Sequence, residues 1–162
     1  MTLKFLRADI TTLKVDAIVN AANTELLAGG GVCGAIFRAA GYNELQAACN
    51  KLAPIQTGEA VITPGFNLPA KFIIHTAGPI WHGGQFGEEN LLRSCYVNSL
   101  KLAAENNLKS IAFPLISSGI YGYPPRDALK VAVRAIKDFQ GDAEVILTLL
   151  DKSLLDMAAA IV

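Results

Sequence analysis

The sequence has no net charge, no long apolar run, no paired cysteine spacing and very little histidine. Lysine plus arginine equals aspartate plus glutamate at 14 each, so total charge draws the chain neither to nucleic acid nor to an anionic membrane. A local basic groove stays compatible with that balance. No stretch of about 18 apolar residues occurs, which excludes a transmembrane helix. The first residues also lack the apolar core of a signal peptide. Cys33, Cys49 and Cys95 are odd in number and lack CxxC spacing, which suits free thiols in a reducing compartment. A soluble, cytoplasmic protein is expected. Three scattered cysteines and two histidines give no metal-ligand spacing, so neither metal nor cofactor is expected. Nucleophilic catalysis also lacks a signature, since Ser117 and Ser118 are not in GxSxG and no acid–histidine pair is legible.

What is present is apolar and alanine-rich. Hydrophobic residues make up 52% of the 162, enough for one sizeable core, and residues 1–162 read as one domain. Leu3 to Leu6, Asp16 to Val19, Glu59 to Thr63, Phe72 to Thr76, Ile111 to Ile116 and Glu144 to Leu150 read as strands. Helical patterns run from Gly34 to Ala40, Asn43 to Leu52, Glu88 to Asn106, Pro125 to Phe139 and Ser153 to Ala160. Strands alternating with helices give a layered α/β domain. Arg126, Lys130, Arg134 and Lys137 read as the solvated face of their helix. Glu88 and Glu89 open a helix, where carboxylates favour the dipole. His75 and His82 read as satisfied polar residues. The chain ends on Ile161-Val162 without a polar tail, as a segment of a longer polypeptide would.

Two glycine-bearing loops carry the functional signal. The first runs Asn20-Ala21-Ala22-Asn23 and then Gly29-Gly30-Gly31-Val32-Cys33-Gly34. The second is Ser117-Ser118-Gly119-Ile120-Tyr121-Gly122. Each follows a strand-like run and leads toward a helical pattern. Glycine lets backbone N–H groups approach an anion closely, and a helix N-terminus adds a favourable dipole. Two such loops suit a ligand with two phosphates and a group at each end. Gly29 to Gly34 formally matches GxGxxG. In a dinucleotide fold, however, the glycines follow the first strand at once and an acid ends the second. Here Ala21 to Ala28 intervene and no acid stands at that offset. A P-loop is excluded by the absence of Gly-Lys-Ser/Thr.

Five ordered motifs now resemble the macrodomain family. Ala8-Asp9-Ile10-Thr11 resembles its GDIT, and Asp16 to Asn23 its DAIVNAAN. Gly29 to Gly41 resembles GGGVxGAIxxAAG, His75 to Pro79 HTVGP, and Ile111 to Gly122 AFPxISxGIYG. The resemblance spans about Leu3 to Asp151. It implies a three-layer α/β/α domain with a central mixed sheet and a cleft for ADP-ribose at the strand ends. It further implies that Asp9 accepts from the adenine amino group, with the Ile10 backbone beside it. By the same resemblance Ser118, Gly119, Ile120, Tyr121 and Gly122 wrap the diphosphate by backbone N–H, with Ser117 beside them in the ligand site. Val32 lines the phosphates from the other side. Asn20 and Asn23 belong to the ligand site, Asn23 on the distal ribose with Gly29, Gly30 and Gly31 close to it. The residue types suit these roles. A carboxylate selects an amino-bearing base, main-chain amides bind phosphate without lysine or arginine, and an amide side chain both donates to and accepts from a hydroxyl.

The resemblance implies hydrolysis of an ester at the distal ribose, in O-acetyl-ADP-ribose or in a protein mono-ADP-ribosylated on an acid. Asn23 and Gly31 are then the catalytic positions. Two departures bear on this. The family's hydrolases often carry Asp and His where this chain has Cys33 and Phe37. Related sequences often stack an aromatic residue on adenine where this chain has Leu150. Cys33 could act as a base only as a thiolate; a small space-filling role is the alternative. A non-catalytic ADP-ribose reader, with an ADP-ribosylated protein as partner, stays open beside the enzyme. RNA or poly(A) binding is the third reading.

Overall fold

The computed structural model describes residues 2–161; Met1 and Val162 of the expected domain lie outside them. Six strands form one sheet in the order β1-β6-β5-β2-β4-β3. They are β1 (Thr2–Leu6), β2 (Ala17–Ala22), β3 (Ala60–Pro64), β4 (Phe72–Ala77), β5 (Ser110–Phe113) and β6 (Glu144–Thr148). Five run parallel, and β3 pairs antiparallel with β4, so the sheet is mixed as expected. β1 alternates exposed and half-buried residues, as an edge strand does, whereas β2 is almost continuously buried at the centre.

Helices cover both faces. α1 (Gly31–Ala40) and α2 (Tyr42–Asn50) pack on one side with Ile18, Ala22 and Ile73. α3 (Glu88–Glu105), α4 (Pro125–Asp138) and α5 (Lys152–Ile161) pack on the other with Val19, Ile74 and Phe113. Gly41, at φ +111, ends α1 and opens α2, a backbone conformation that side chains rarely adopt. Pro125 occupies the first position of α4, where its missing N–H costs nothing.

Several boundaries differ from the sequence reading, among them the start of α1, at Gly31 rather than Gly34. β5 stops at Phe113 rather than Ile116, because Pro114 has no N–H for the ladder. Ile116 is fully buried all the same, so its apolar character reflects burial rather than extended pairing. β6 stops at Thr148, and Leu150 is 85% exposed. β2 continues beyond Val19 to Ala22 because it pairs with β4 along its whole length.

One consequence places the site. β2 pairs with β5 only through Ala17 and Ile18, while its pairing with β4 runs to Ala22. The chain leaves β2 toward α1 on one face and leaves β5 toward α4 on the other. Neighbouring parallel strands whose connections depart to opposite faces open a crevice at their carboxyl ends.

Candidate functional site

The crevice is a cavity of about 1010 Å³, at the upper end of ordinary small-molecule sites. Its long axis follows the strand order. Arg7 to Ile10, after β1, and Leu149 to Asp151, after β6, meet at one end. Pro114 to Tyr121, after β5, form the middle. Asn23, after β2, and Gly78, after β4, lie at the other end, with Gly29 to Cys33 alongside. Three charged residues line the cleft, Arg7, Asp9 and Asp151, and there is no lysine among them.

Two sets of backbone amides belong to residues that line this space. The first turn of α1 leaves the amides of Gly31, Val32 and Cys33 without an intrahelical acceptor, since the first such bond runs from Gly34 N–H to the Gly30 carbonyl at 3.2 Å. In the second loop the bonds run from Ser118 N–H to Leu115 O, from Gly122 N–H to Gly119 O and from Tyr123 N–H to Ser117 O. Those bonds fold the loop back on itself. Among the described residues, the amides of Gly119, Ile120 and Tyr121 donate to no protein acceptor. The Ser117 hydroxyl, buried beside them, also lacks a partner.

Side chains at the two ends are held by their own loops. Asp9 caps a short 3₁₀ turn, Ile10–Thr12, through one oxygen: Oδ1 accepts from Thr11 N–H at 3.0 Å and from Thr11 Oγ1 at 2.7 Å. Oδ2 takes no bond among the described residues. The turn-capping role and an available acceptor atom therefore coexist in one carboxylate. Asn23 brackets the turn after β2: its Nδ2 donates to Leu27 O at 2.8 Å, and its Oδ1 accepts from Leu27 N–H at 3.0 Å. One N–H and one lone pair remain.

Cys33 is nearly buried and points to the sheet. Its thiol donates to Leu27 O and accepts from Asn20 Nδ2, both at 3.7 Å. Burial raises its pKa above the ordinary thiol value, against the lowering bonds from Gly29 and Asn20. It is poorly suited to be a thiolate base.

The same chain matches the Macro domain family over residues 19–132. It belongs to the macrodomain family. A protein of Escherichia fergusonii named O-acetyl-ADP-ribose deacetylase is 55% identical over 138 residues, which cover 83% of this chain and 77% of that one. The Oceanobacillus iheyensis macrodomain, solved with ADP, superposes with a TM-score of 0.94 at 41% identity, covering 98% of this chain and 88% of the other. The Trypanosoma brucei macrodomain in complex with ADP-ribose gives a TM-score of 0.85 at 36% identity, covering 98% and 68%.

Most of the expected site residues of this macrodomain come together. Asp9, Ile10, Asn23, Gly29, Gly30, Gly31, Val32, Ser117, Ser118, Gly119, Ile120, Tyr121 and Leu150 all line the cleft, and so does Cys33. Two do not. Asn20 is 1% exposed and faces the α1 layer, because strand alternation puts it on the same side as Ile18 and Ala22. Its Nδ2 donates to His75 Nδ1 at 3.0 Å as well as to Cys33, so it supports the first loop from behind. Gly122, at φ +77, closes the second loop with its N–H and lies outside the lining.

His75 is a satisfied core residue. It accepts from Asn20 through Nδ1, which leaves Nε2–H to meet Thr63 Oγ1 at 3.0 Å. Burial lowers its pKa to about 4, so it is neutral at pH 7.

Three contributors, Arg7, Trp81 and Gly78, were not singled out from the sequence, and a fourth, Glu88, reads there only as a helix-opening acid. Arg7 reaches Leu150 O at 3.4 Å and joins the two edge loops. Trp81 donates its backbone N–H to Tyr121 O at 2.8 Å and packs its ring on Tyr123 with centroids 4.6 Å apart, backing the second loop. Gly78 sits so tightly against that loop that a β-carbon there would collide with Ser117 Oγ. Glu88 does more than favour a helix dipole. Its carboxylate is buried and accepts from the amides of His82, Gly84 and Phe86 at 2.9, 2.9 and 2.7 Å. Burial alone would raise its pKa, but these amides outweigh that and bring it down to about 2.

Proposed function

We propose that this macrodomain binds ADP-ribose and hydrolyses an ester at its distal ribose. The observation that carries the reading is the pair of unengaged amide sets, Gly31 to Cys33 and Gly119 to Tyr121, in residues that line one cleft without a lysine. Such amides hold a diphosphate by hydrogen bonds and by the positive end of α1. The strand order supports the following reading of the ends. Asp9 Oδ2 accepts from the adenine amino group with the Ile10 backbone beside it, and Leu150 gives the base apolar contact. Asn23 uses its remaining N–H and lone pair on the distal ribose, near Gly29 to Gly31. Ser117 Oγ and the Ser118 backbone add to the diphosphate cradle.

Beside Asn23 the cleft lining supplies no carboxylate and no imidazole among the described residues. Hydrolysis therefore relies on placement. Asn23 and the Gly31 backbone orient the ester, and a water held against the substrate's own phosphate attacks it. Water adds across the ester, releasing ADP-ribose and the free acid. That acid is acetate from O-acetyl-ADP-ribose and a side-chain carboxylate from a modified protein. The name of the Escherichia fergusonii relative and the ligands of the two solved macrodomains support this reading. Cys33, Cys49 and Cys95 are free and buried, which suits a reducing cytoplasmic setting. The neutral chain and the sparsely charged cleft argue against nucleic acid as the main ligand.

The test measures ADP-ribose release from an acid-linked ADP-ribosylated protein, with an arginine-linked protein as comparison, beside calorimetry with ADP-ribose, NAD and ATP. Release from the acid-linked substrate and preference for ADP-ribose are expected. Tight ADP-ribose binding without release would favour a reader module, for which the buried, protonated Cys33 is the observation in favour. Equal affinity for all three nucleotides would overturn the site assignment.

A further inference from the structure

A second cavity, of about 370 Å³, opens beyond Asn23. It shares Asn23, Gly78 and Tyr121 with the main cleft, so the two spaces adjoin at the end assigned to the distal ribose. Its other walls include Ile80, Phe86 and Leu91, with the hydroxyl residues Thr24 and Thr57 and the ring of His82. Resting on the ADP-ribose reading of the main cleft, we infer that this cavity takes the polypeptide side of an ADP-ribosylated protein, with an apolar residue next to the modified acid seated between Ile80, Phe86 and Leu91.

Three observations lead there. Size is the first. An acetyl group would leave most of such a cavity empty, whereas a peptide side chain and its backbone would occupy it. The second is the state of the rim. Phe86 is 71% exposed and Ile80 51% exposed, yet their loop is not loose. Both oxygens of Glu88 hold it, Oε1 by the Phe86 amide and Oε2 by those of His82 and Gly84. His82 and Phe86 pair edge to face with centroids 6.1 Å apart. Apolar rings kept exposed by a preorganised loop are positioned to be covered, and little ordering cost remains when a partner arrives. The third is charge. The lining holds one carboxylate, Glu88, whose oxygens are already engaged, with the imidazole of His82 and the phenol of Tyr121. No lysine or arginine is there to select an acidic segment, so the apolar walls select an aliphatic or aromatic neighbour.

The experiment uses a short peptide carrying one ADP-ribose through a hydrolysis-resistant linkage, with leucine beside the modified position. Affinities for this peptide and for free ADP-ribose are measured on the wild type, Phe86→Ala and Ile80→Ser. Both replaced side chains are exposed, and circular dichroism verifies folding. Phe86→Ala is expected to weaken the peptide about tenfold, the loss of one buried aromatic contact, and to leave free ADP-ribose within about twofold. Replacing the peptide leucine by glycine should weaken binding to the wild type but not further to Phe86→Ala, as for two groups in contact. An unchanged peptide affinity in both variants, or an equal loss for peptide and ADP-ribose, overturns the inference while the ADP-ribose site stands. Failure of the wild type to bind free ADP-ribose removes the reading of the main cleft, and this inference with it.

Discussion

Ile120 reaches across the mouth of the cleft toward Gly30. A β-carbon placed on Gly30 would lie 3.8 Å from Ile120 Cδ1, ordinary contact distance, although Ile120 is 88% exposed. The two glycine-bearing loops therefore approach each other over the middle of the cleft, where the diphosphate is proposed to sit. Removing the Ile120 side chain should open the mouth without loosening the core. Ile120→Ala is expected to weaken ADP-ribose by about threefold to tenfold, mostly through faster release, with no loss of thermal stability. Stopped-flow binding and a melting curve check this. Unchanged release would mean that the side chain does not cover the ligand.

Glycines of the two loops differ in what they tolerate. A β-carbon on Gly119 meets nothing within 4 Å, so the free cleft has room there. The constraint comes from the ligand. Gly119→Glu should fold with a normal melting temperature and lose ADP-ribose binding, because its carboxylate would occupy and repel the diphosphate position. Gly78→Ala should behave differently, since its β-carbon collides with Ser117 Oγ and crowds Ile116. Lower stability is expected there, along with weaker binding. Calorimetry and thermal unfolding of both variants separate the cases. A folded Gly119→Glu with full affinity would place the diphosphate elsewhere.

The parts of the site legible in the sequence were local. Asn23, Gly29 to Gly31 and Gly119 to Tyr121 lie in the loops that follow β2 and β5, where glycines announce close backbone approach, whereas the segment holding Asp9 has no glycine and its role is legible only through the resemblance of its motif. The parts that escaped were made by distance in the chain. Trp81 supports the second loop through a bond to Tyr121, and Arg7 meets Leu150 only because β1 and β6 pair. Glu88 reads as a helix-opening acid, and nothing in its neighbours announces three backbone amides. Asn20 belongs behind the first loop and not to the ligand, and strand alternation carries that signal in the sequence. It lies two residues from Ile18 in a buried strand, so alternation turns it toward α1 and away from the ligand. Alternating strands, Gly41 and Pro125 punctuated the fold legibly. The buried apolar run past Pro114 imitates a strand, so β5 is shorter than its hydrophobic pattern.

Acid should unfold the domain in two overlapping windows. His75 has its pKa lowered from 6.5 to about 4 by burial, so the unfolded chain binds its proton first. Its stabilising contribution is complete above about pH 6.5 and is lost as pH falls toward 4, on the order of 3 kcal/mol. Glu88 adds a second loss, from about 4.5 down to about 2, as its carboxylate is protonated and releases the amides of residues 82–86. His75→Gln keeps hydrogen-bonding capacity but cannot charge. Urea unfolding at a series of pH values should show a flatter profile for that variant between about pH 6.5 and 4, on a lower plateau. An equally steep profile would move the acid sensitivity to another group.

Turnover separates the roles of Cys33 and Asn23. Cys33 is nearly buried, donates its proton to Leu27 O and has a raised pKa, so no thiolate stands ready beside the ribose end. Cys33→Ala should keep most of the wild-type hydrolysis of an acid-linked ADP-ribosylated protein. Asn23 holds its loop through Leu27 and has one N–H and one lone pair to spare. Asn23→Ala should therefore lower kcat more than it weakens binding, by about tenfold or more in kcat, because orientation counts most in the transition state. Some loss of loop order will accompany it, so the affinity for ADP-ribose is measured in the same samples. Loss of all activity in Cys33→Ala alone would mean that the thiol does the chemistry. Equal losses of kcat and affinity in Asn23→Ala would reduce that residue to a loop support.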